Sequence, residues 1–154
     1  MEQTKEIQEL KELVAYYEKV IHNMSAPIIP SIVPNTILVP IAGFIFRDRF
    51  ETIRSKVLEH ADKHRETERV IFDFTGVRME DVESFDYNEL ATELTQLNSA
   101  LKLMGLRPIY VGFNPRFVRE IVHAGIQVDL EVYTTFRAAL KNLLTETERS
   151  ISSI

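Results

Sequence analysis

The sequence predicts an α/β fold with a mostly parallel sheet of about five strands. Short runs of apolar, β-forming residues alternate with segments in which apolar residues recur every three or four positions. Strands and helices that alternate in this way pack as a parallel sheet with helices against it. Residues 25–34 and 37–41 break the alternation, because only a tight turn at Asn35 and Thr36 separates them. We therefore expect one antiparallel strand pair at an edge of the sheet.

The composition is that of one globular domain with a short extension. Of 154 residues, 45% are apolar and 27% are charged, and the net charge is −5. An acidic chain lacks the clustered Lys and Arg that nucleic-acid binding requires. The absence of cysteine excludes disulfides and thiolate nucleophiles. No apolar run reaches membrane-spanning length and no signal-peptide core is present, so we predict a cytoplasmic protein that does not bind membranes.

Residues 1–24 are predicted to form an amphipathic N-terminal helix. Its apolar residues are spaced alternately by three and four positions, which is the seam of a coiled coil. We predict that this seam pairs two chains in a homodimer; the alternative is packing against the chain's own domain. The seam consists of Ile7, Leu10, Val14, Tyr17, Ile21 and Met24.

The rest of the chain divides into a domain, residues 25–144, and a flexible tail, residues 145–154. Acidic residues at the start of two apolar-periodic segments, Asp48 and Asp86, mark helix N-termini, and Gly105 follows the second helix where a helix-ending glycine belongs. The predicted elements after the turn are a helix from Asp48, a strand at 70–74, a helix at 87–104, a strand at 108–111, a helix at 117–122, a strand at 128–133 and a helix from Thr135.

The sequence lacks the motifs of common enzymes. We find no phosphate-binding glycine loop, dinucleotide fingerprint, nucleophile elbow or zinc-protease motif. His60 and His64 are four residues apart on a helix, but no third ligand is evident, so we expect surface histidines and no metal or cofactor. The acidic residues near position 80 would suit acid–base chemistry, yet nothing nearby supplies a nucleophile or an oxyanion site. We therefore predict a protein that is not an enzyme.

Several segments resemble a known family. Residues 70–77, followed by Asp81, resemble the strand-and-loop signature of STAS domains, the anti-sigma-factor antagonists of bacterial partner switching. Residues 25–30, 37–43 and 112–126 are similar to the stressosome co-antagonist branch, in which a sensor domain and a linker helix precede the STAS domain. The resemblance covers about residues 25–144. It implies a STAS fold and a role in stress signalling, with other STAS proteins, a serine/threonine kinase or an anti-sigma factor as partners.

The chain departs from the family pattern at the phosphorylation sites. In the family, a Ser or Thr directly after the loop Asp is phosphorylated, which changes partner binding through added negative charge. Here Val82 occupies that position, and Glu120 occupies the second family position. We favour a phosphorylation-insensitive scaffold whose acidic loop and Glu120 partly mimic phosphate. The alternative is that Ser84 has become the phosphorylation site.

The loop after the third predicted strand is the candidate partner-binding site. Arginine and aromatic side chains around a polar loop suit a protein interface. Because the loop follows the carboxyl end of a parallel strand, a small-molecule or nucleotide-binding sensor domain is the alternative, although no phosphate-binding glycines support it. The predicted site residues are Arg78, Met79, Glu80, Asp81, Val82, Glu83, Ser84, Phe85 and Tyr87.

Overall fold

The structure is a computed structural model that describes residues 2–24, 26–43, 45, 47–82, 87–123, 125 and 129–152. Its elements, in chain order, are α1 (Glu2–Met24), β1 (Ile29–Pro30), β2 (Thr36–Ala42), α2 (Arg47–Lys63), β3 (Arg69–Gly76), a short 3₁₀ helix (Met79–Val82), α3 (Tyr87–Leu103), β4 (Arg107–Val111), α4 (Pro115–His123), β5 (Val132–Tyr133) and α5 (Phe136–Ser152).

The five strands form one sheet in the order β1-β2-β3-β4-β5. β1 is antiparallel to β2, and the remaining neighbours are parallel, which confirms the predicted fold class. The connection between β1 and β2 turns at Asn35, whose φ of 59° lies in the left-handed region that asparagine tolerates. β1 is shorter than the predicted extended segment, because prolines lack the N–H that a strand ladder needs.

The two faces of the sheet are covered unequally. Helices α2, α3 and α4 cover the first face, where the larger core surrounds Phe72, Tyr110 and Leu94. Helix α5 packs on the second face, where Leu143 meets Ile71 and the other buried residues of a smaller core. The Tyr110 hydroxyl in the first core donates to Asn98 Oδ1 at 3.3 Å. Burial raises the pKa of Tyr110, so this hydroxyl stays protonated.

The last strand is shorter than predicted. Residues 128–133 were expected to form it, but it comprises only Val132–Tyr133, and residues 126–128 lie outside the described part of the chain. The backbone carbonyl of Asp129 accepts a hydrogen bond from the Asn98 side chain at 3.4 Å. This carbonyl is therefore contacted by α3, a helix of the first face.

Residues 145–152, which the sequence analysis placed in a flexible tail, continue α5. Arg107 holds this part of the helix through two hydrogen bonds to Glu146, from Nη1 to Oε2 at 2.8 Å and from Nη2 to Oε1 at 3.1 Å. The sequence does not reveal this pairing, because the two residues are far apart in the chain. Residues 153 and 154 lie outside the described residues.

Helix α1 spans the predicted N-terminal helix. All its residues from 2 to 19 are exposed, so the described part of the seam does not pack on the chain's own domain. Large apolar side chains remain in solvent, for example Leu10 at 60% and Val14 at 54% exposure. The side chains of Ile21 and Met24 lie outside the description. None of the helices in the described part of the chain has the length and apolarity to cross a bilayer.

Candidate functional site at the carboxyl edge of the sheet

The predicted site loop follows β3 at the carboxyl edge of the sheet. Val77 N donates to Phe74 O at 2.9 Å, and Asp81 N donates to Arg78 O at 3.0 Å, which turns the chain into the 3₁₀ helix. A further backbone bond, from Ile45 N to Asp81 O at 2.8 Å, ties this helix to the segment that leads into α2. The loop is therefore fixed to its neighbour by backbone geometry.

Asp81 is buried beneath this loop, with 6% of its surface exposed. Its Oδ2 accepts a hydrogen bond from Arg78 N at 2.8 Å and lies 3.5 Å from Arg78 Nε. The carboxylate thus holds the loop's own backbone. Arg78 and Glu80 lie above it, where Arg78 Nη1 and Glu80 Oε1 are 2.7 Å apart and both side chains are exposed.

The structure brings together part of the predicted site. Arg78, Met79, Glu80 and Asp81 share the loop and the 3₁₀ helix, and Tyr87 begins α3, with its ring 6.0 Å from that of Phe117 on α4. The backbone of Val82 ends the 3₁₀ helix, and its side chain is not described. Glu83, Ser84 and Phe85 lie outside the described residues. Glu120 lies on the exposed side of α4.

An apolar cavity lies between the loop and the helices of the first face. Its volume is about 30 Å³, and its walls include Ile45, Phe74, Met79, Phe113 and Phe117. A space of this size holds about one water, whereas ligand pockets usually measure some 300–1,000 Å³. The cavity therefore marks loose packing beneath the loop and is too small for a nucleotide.

The ends of β3 and β4 are fitted closely beside the loop. Asp73 Oδ1 accepts hydrogen bonds from the backbone N and the hydroxyl of Thr75. Gly112, at φ +77°, passes so near that a Cβ there would lie 2.7 Å from Thr75 N. A side chain at Gly112 would collide with this turn, so glycine is required both by conformation and by space.

Two features at this edge were missed by the sequence analysis. Arg49, in the first turn of α2, is 6% exposed, and burial lowers the pKa of its guanidinium, while nearby Asp81 opposes that shift. Phe113 packs against Phe74 with the two rings tilted and their centroids 4.8 Å apart. The sequence offers one signal for the burial of Arg49, which is its position directly before the apolar helix face that begins at Phe50. The signal is weak, because charged side chains at helix starts are usually solvated.

The histidine pair at the end of α2 forms a stack. The rings of His60 and His64 lie 4.1 Å apart, and partial burial together with the neighbouring imidazole lowers the pKa of His60. Among the described residues, no group of three or more His, Cys, Asp or Glu is placed to hold a metal ion.

Comparison with known proteins finds both similar sequences and similar folds. No family model matches the chain. The chain is 28% identical over 146 residues to the RsbT co-antagonist protein RsbRA of Bacillus subtilis (strain 168). The aligned region covers 94% of this chain and 50% of that protein. The chain is also 29% identical over 123 residues to a blue-light photoreceptor of Listeria innocua, covering 79% of this chain and 45% of that protein. The chain thus spans about half the length of the curated relatives it matches.

Among solved structures, a variant of RsbS from Moorella thermoacetica superposes with a TM-score of 0.60 at 13% identity. The match covers 80% of this chain and 97% of the RsbS chain. At that identity the likeness concerns the fold alone, and it covers nearly the whole of the RsbS chain.

Proposed function

We propose that this chain, a STAS domain protein similar to the RsbR-like co-antagonists, is a non-catalytic, cytoplasmic protein-binding scaffold of bacterial stress signalling. The observation that carries the proposal is the exposed apolar seam of α1, since contiguous exposed apolar surface marks a protein interface. Its partners would be other STAS proteins and a serine/threonine kinase or anti-sigma factor. The sequence similarity to RsbRA supports this class of function.

The seam of α1 would pair with that of a second copy. With Ile7 and Val14 at one core position of the heptad and Leu10 and Tyr17 at the other, both core rows are apolar. In a parallel pair Glu6 of one chain faces Lys11 of the other, which adds a favourable charge contact. Sedimentation of the full chain and of a chain that begins at residue 25 tests this pairing. We expect the full chain to be a dimer and the shortened chain to be a monomer. The same oligomeric state for both chains would contradict the pairing.

The partner surface would combine three neighbouring elements. These are the 3₁₀ helix with exposed Arg78 and Glu80, the first turns of α3, and the outer face of α4. On α4, Val118 is 42% and Val122 is 68% exposed, although the opposite side of the helix packs into the core through Phe117. Apolar side chains beside charged ones at the rim are typical of a transient protein interface.

We further propose that the kinases of the pathway do not modify this site. Valine at position 82 has no hydroxyl, and Glu120 places a carboxylate on the outer face of α4. Val82 would prevent phosphorylation of the loop, and Glu120 would supply part of the charge of a phosphate. Together they would keep the protein in one binding state. Intact-mass analysis after incubation with the host's stress-response kinases and ATP tests this. We expect no mass gain while a STAS protein with the family hydroxyl is modified, and a phosphate on Ser84 would contradict the proposal.

A small-molecule sensor role is the weaker candidate. The cavity beneath the loop is about 30 Å³, roughly a tenth of the volume of a small ligand pocket. Thermal unfolding with and without nucleotides distinguishes the two functions. We expect no shift in midpoint, and a concentration-dependent rise would favour the sensor role.

A further inference from the structure

The apolar cavity at the carboxyl edge of the sheet lies between two elements of the proposed partner surface. One side of its wall is formed by Arg78 and Met79 of the loop after β3, and the other side by Phe113 and Asn114, which lead into α4. These wall residues reach solvent, since Arg78 is exposed and the other three are half-buried. The cavity therefore has its mouth at the surface that a partner would cover.

The floor of the cavity is apolar and buried. Five of its side chains come from α2, β3, α3 and α4 and have 6% or less of their surface exposed: Phe50, Phe74, Leu90, Leu94 and Phe117. Such a space offers water few polar groups to bind. The atoms that line an unfilled space also lose dispersion contacts on one side. An apolar group that entered from outside would restore these contacts.

The size of the cavity determines what kind of group fits. Its volume is about 30 Å³, which is enough for one water or for a group of similar size, such as a methyl. A free small molecule needs a space some ten times larger, whereas the terminal methyl of one aliphatic side chain fits. Binding hot spots in protein interfaces have this form, in which an anchor fills a small pocket that less critical contacts surround.

We propose that this cavity is the anchoring pocket for one aliphatic side chain (leucine, isoleucine or valine) of the STAS protein that the chain binds. This inference rests on the proposed function, because it takes the loop and α4 as the partner surface. The partner's terminal methyl would lie among the rings of Phe74, Phe113 and Phe117. The loop would then contribute to binding through the pocket wall that it forms as well as through its exposed charges.

Filling the pocket from within should affect folding and binding in opposite directions. Val77→Ile adds one methylene group to a residue of the cavity wall. We expect this variant to unfold at the same temperature as the parent chain or a higher one, because filling a cavity stabilises the fold. It should bind a STAS protein of the RsbS type from the same organism about tenfold or more weakly, because the anchor is excluded.

The control is Val132→Ile, which makes the same change on β5, where Val132 is 46% exposed. It should leave both the unfolding temperature and the affinity for the partner unchanged. If Val77→Ile unfolds no lower than the parent chain and binds the partner with the same affinity, the proposal is overturned.

A second measurement uses the parent chain and decides the question if Val77→Ile is destabilised. The RsbS-type partner is prepared with ¹³C-labelled methyl groups on its Leu, Ile and Val side chains and is mixed with the unlabelled chain. We expect one partner methyl to shift upfield, as a methyl does above an aromatic ring, and to show nuclear Overhauser contacts with the ring protons of Phe113 and Phe117. A complex that forms without such a methyl overturns the anchor and leaves the proposed function standing. If the two parent proteins do not bind at all, the proposed function is contradicted and the anchor with it.

Discussion

Helices α1 and α5 show how the same sequence pattern leads to opposite environments. Both carry apolar residues at spacings of three and four. On α5 those residues are buried, with Ala139 and Leu143 at 0% exposure against Ile71 and Ile109 of the second sheet face. On α1 the equivalent residues are half or more exposed, as Leu10 is at 60%.

The difference arises from what each helix meets after it forms. The chain reverses after β5, so α5 runs back across the open face of the sheet, where Arg107 then holds Glu146. α1 precedes the sheet and leaves its seam in solvent. Periodicity thus predicts a helix and its apolar face, whereas the element that covers the face depends on topology. An apolar face left uncovered within one chain is the one available for a second.

The largest effect on stability is expected from truncating a side chain on the buried apolar face of α5. Leu143→Ala should lower the free energy of unfolding by about 3 kcal/mol, because it removes packed methyl groups and leaves a cavity. The matched change Leu10→Ala on α1 should lower the unfolding free energy of the domain that follows α1 by less than about 0.5 kcal/mol. Urea denaturation followed by circular dichroism measures both. Equal losses would mean that α1 packs on its own domain.

A charge placed in the exposed seam should act on association and leave folding unchanged. We expect Val14→Glu to weaken the dimer by about 2 kcal/mol, since an isolated carboxylate would be buried between the two helices. Sedimentation equilibrium over a range of concentrations measures the dissociation constant. The control is Leu144→Glu on the outer side of α5, where Leu144 is 39% exposed. A control that dissociates the dimer equally would place the interface on α5 instead.

The anchor of α5 should depend on pH. Hydrogen bonds from Arg107 lower the pKa of Glu146 in the folded state. This contribution to stability is therefore present above the ordinary glutamate pKa, about 4.3, and is lost as pH falls through the lower folded value. Both side chains are over a third exposed, so solvent screening reduces the expected cost of Glu146→Gln to about 1 kcal/mol at pH 7.

Urea unfolding at pH 7 and at successively lower pH tests this anchor. The gap between the parent chain and Glu146→Gln should narrow steadily below about pH 4. Glu18→Gln, an exposed glutamate on α1, is the control and should show no such gap. If the parent chain and Glu146→Gln differ as much in unfolding free energy at low pH as at pH 7, the anchor does not depend on the charge of Glu146.

The smallest effect concerns the orientation of the paired α1 helices. In a parallel dimer, Glu6→Lys should weaken association by about 0.5 kcal/mol, and adding Lys11→Glu should restore it. The comparison of the single and double variants is made by sedimentation equilibrium at low salt, where screening is weakest. A second change that weakens the dimer further would argue against the parallel register.

The sequence predicted the order of elements because the apolar patterns and helix caps are local. It does not reveal contacts between distant residues, such as the hydrogen bond from Asn98 to the carbonyl of Asp129 and those from Arg107 to Glu146. The site shows the same division. Local motifs and resemblance located the loop from Arg78 to Asp81, but the burial of Asp81 depends on how the neighbouring elements pack around it.

We propose above that this chain binds other proteins of a stress-signalling assembly. Sedimentation velocity of the full chain mixed with a STAS protein of the RsbS type from the same organism tests it most directly. We expect a complex larger than either protein alone at micromolar concentration, and a loss of that complex when Arg78 and Glu80 are both changed to alanine. If the two proteins sediment independently, each at its own mass, the proposed binding is contradicted.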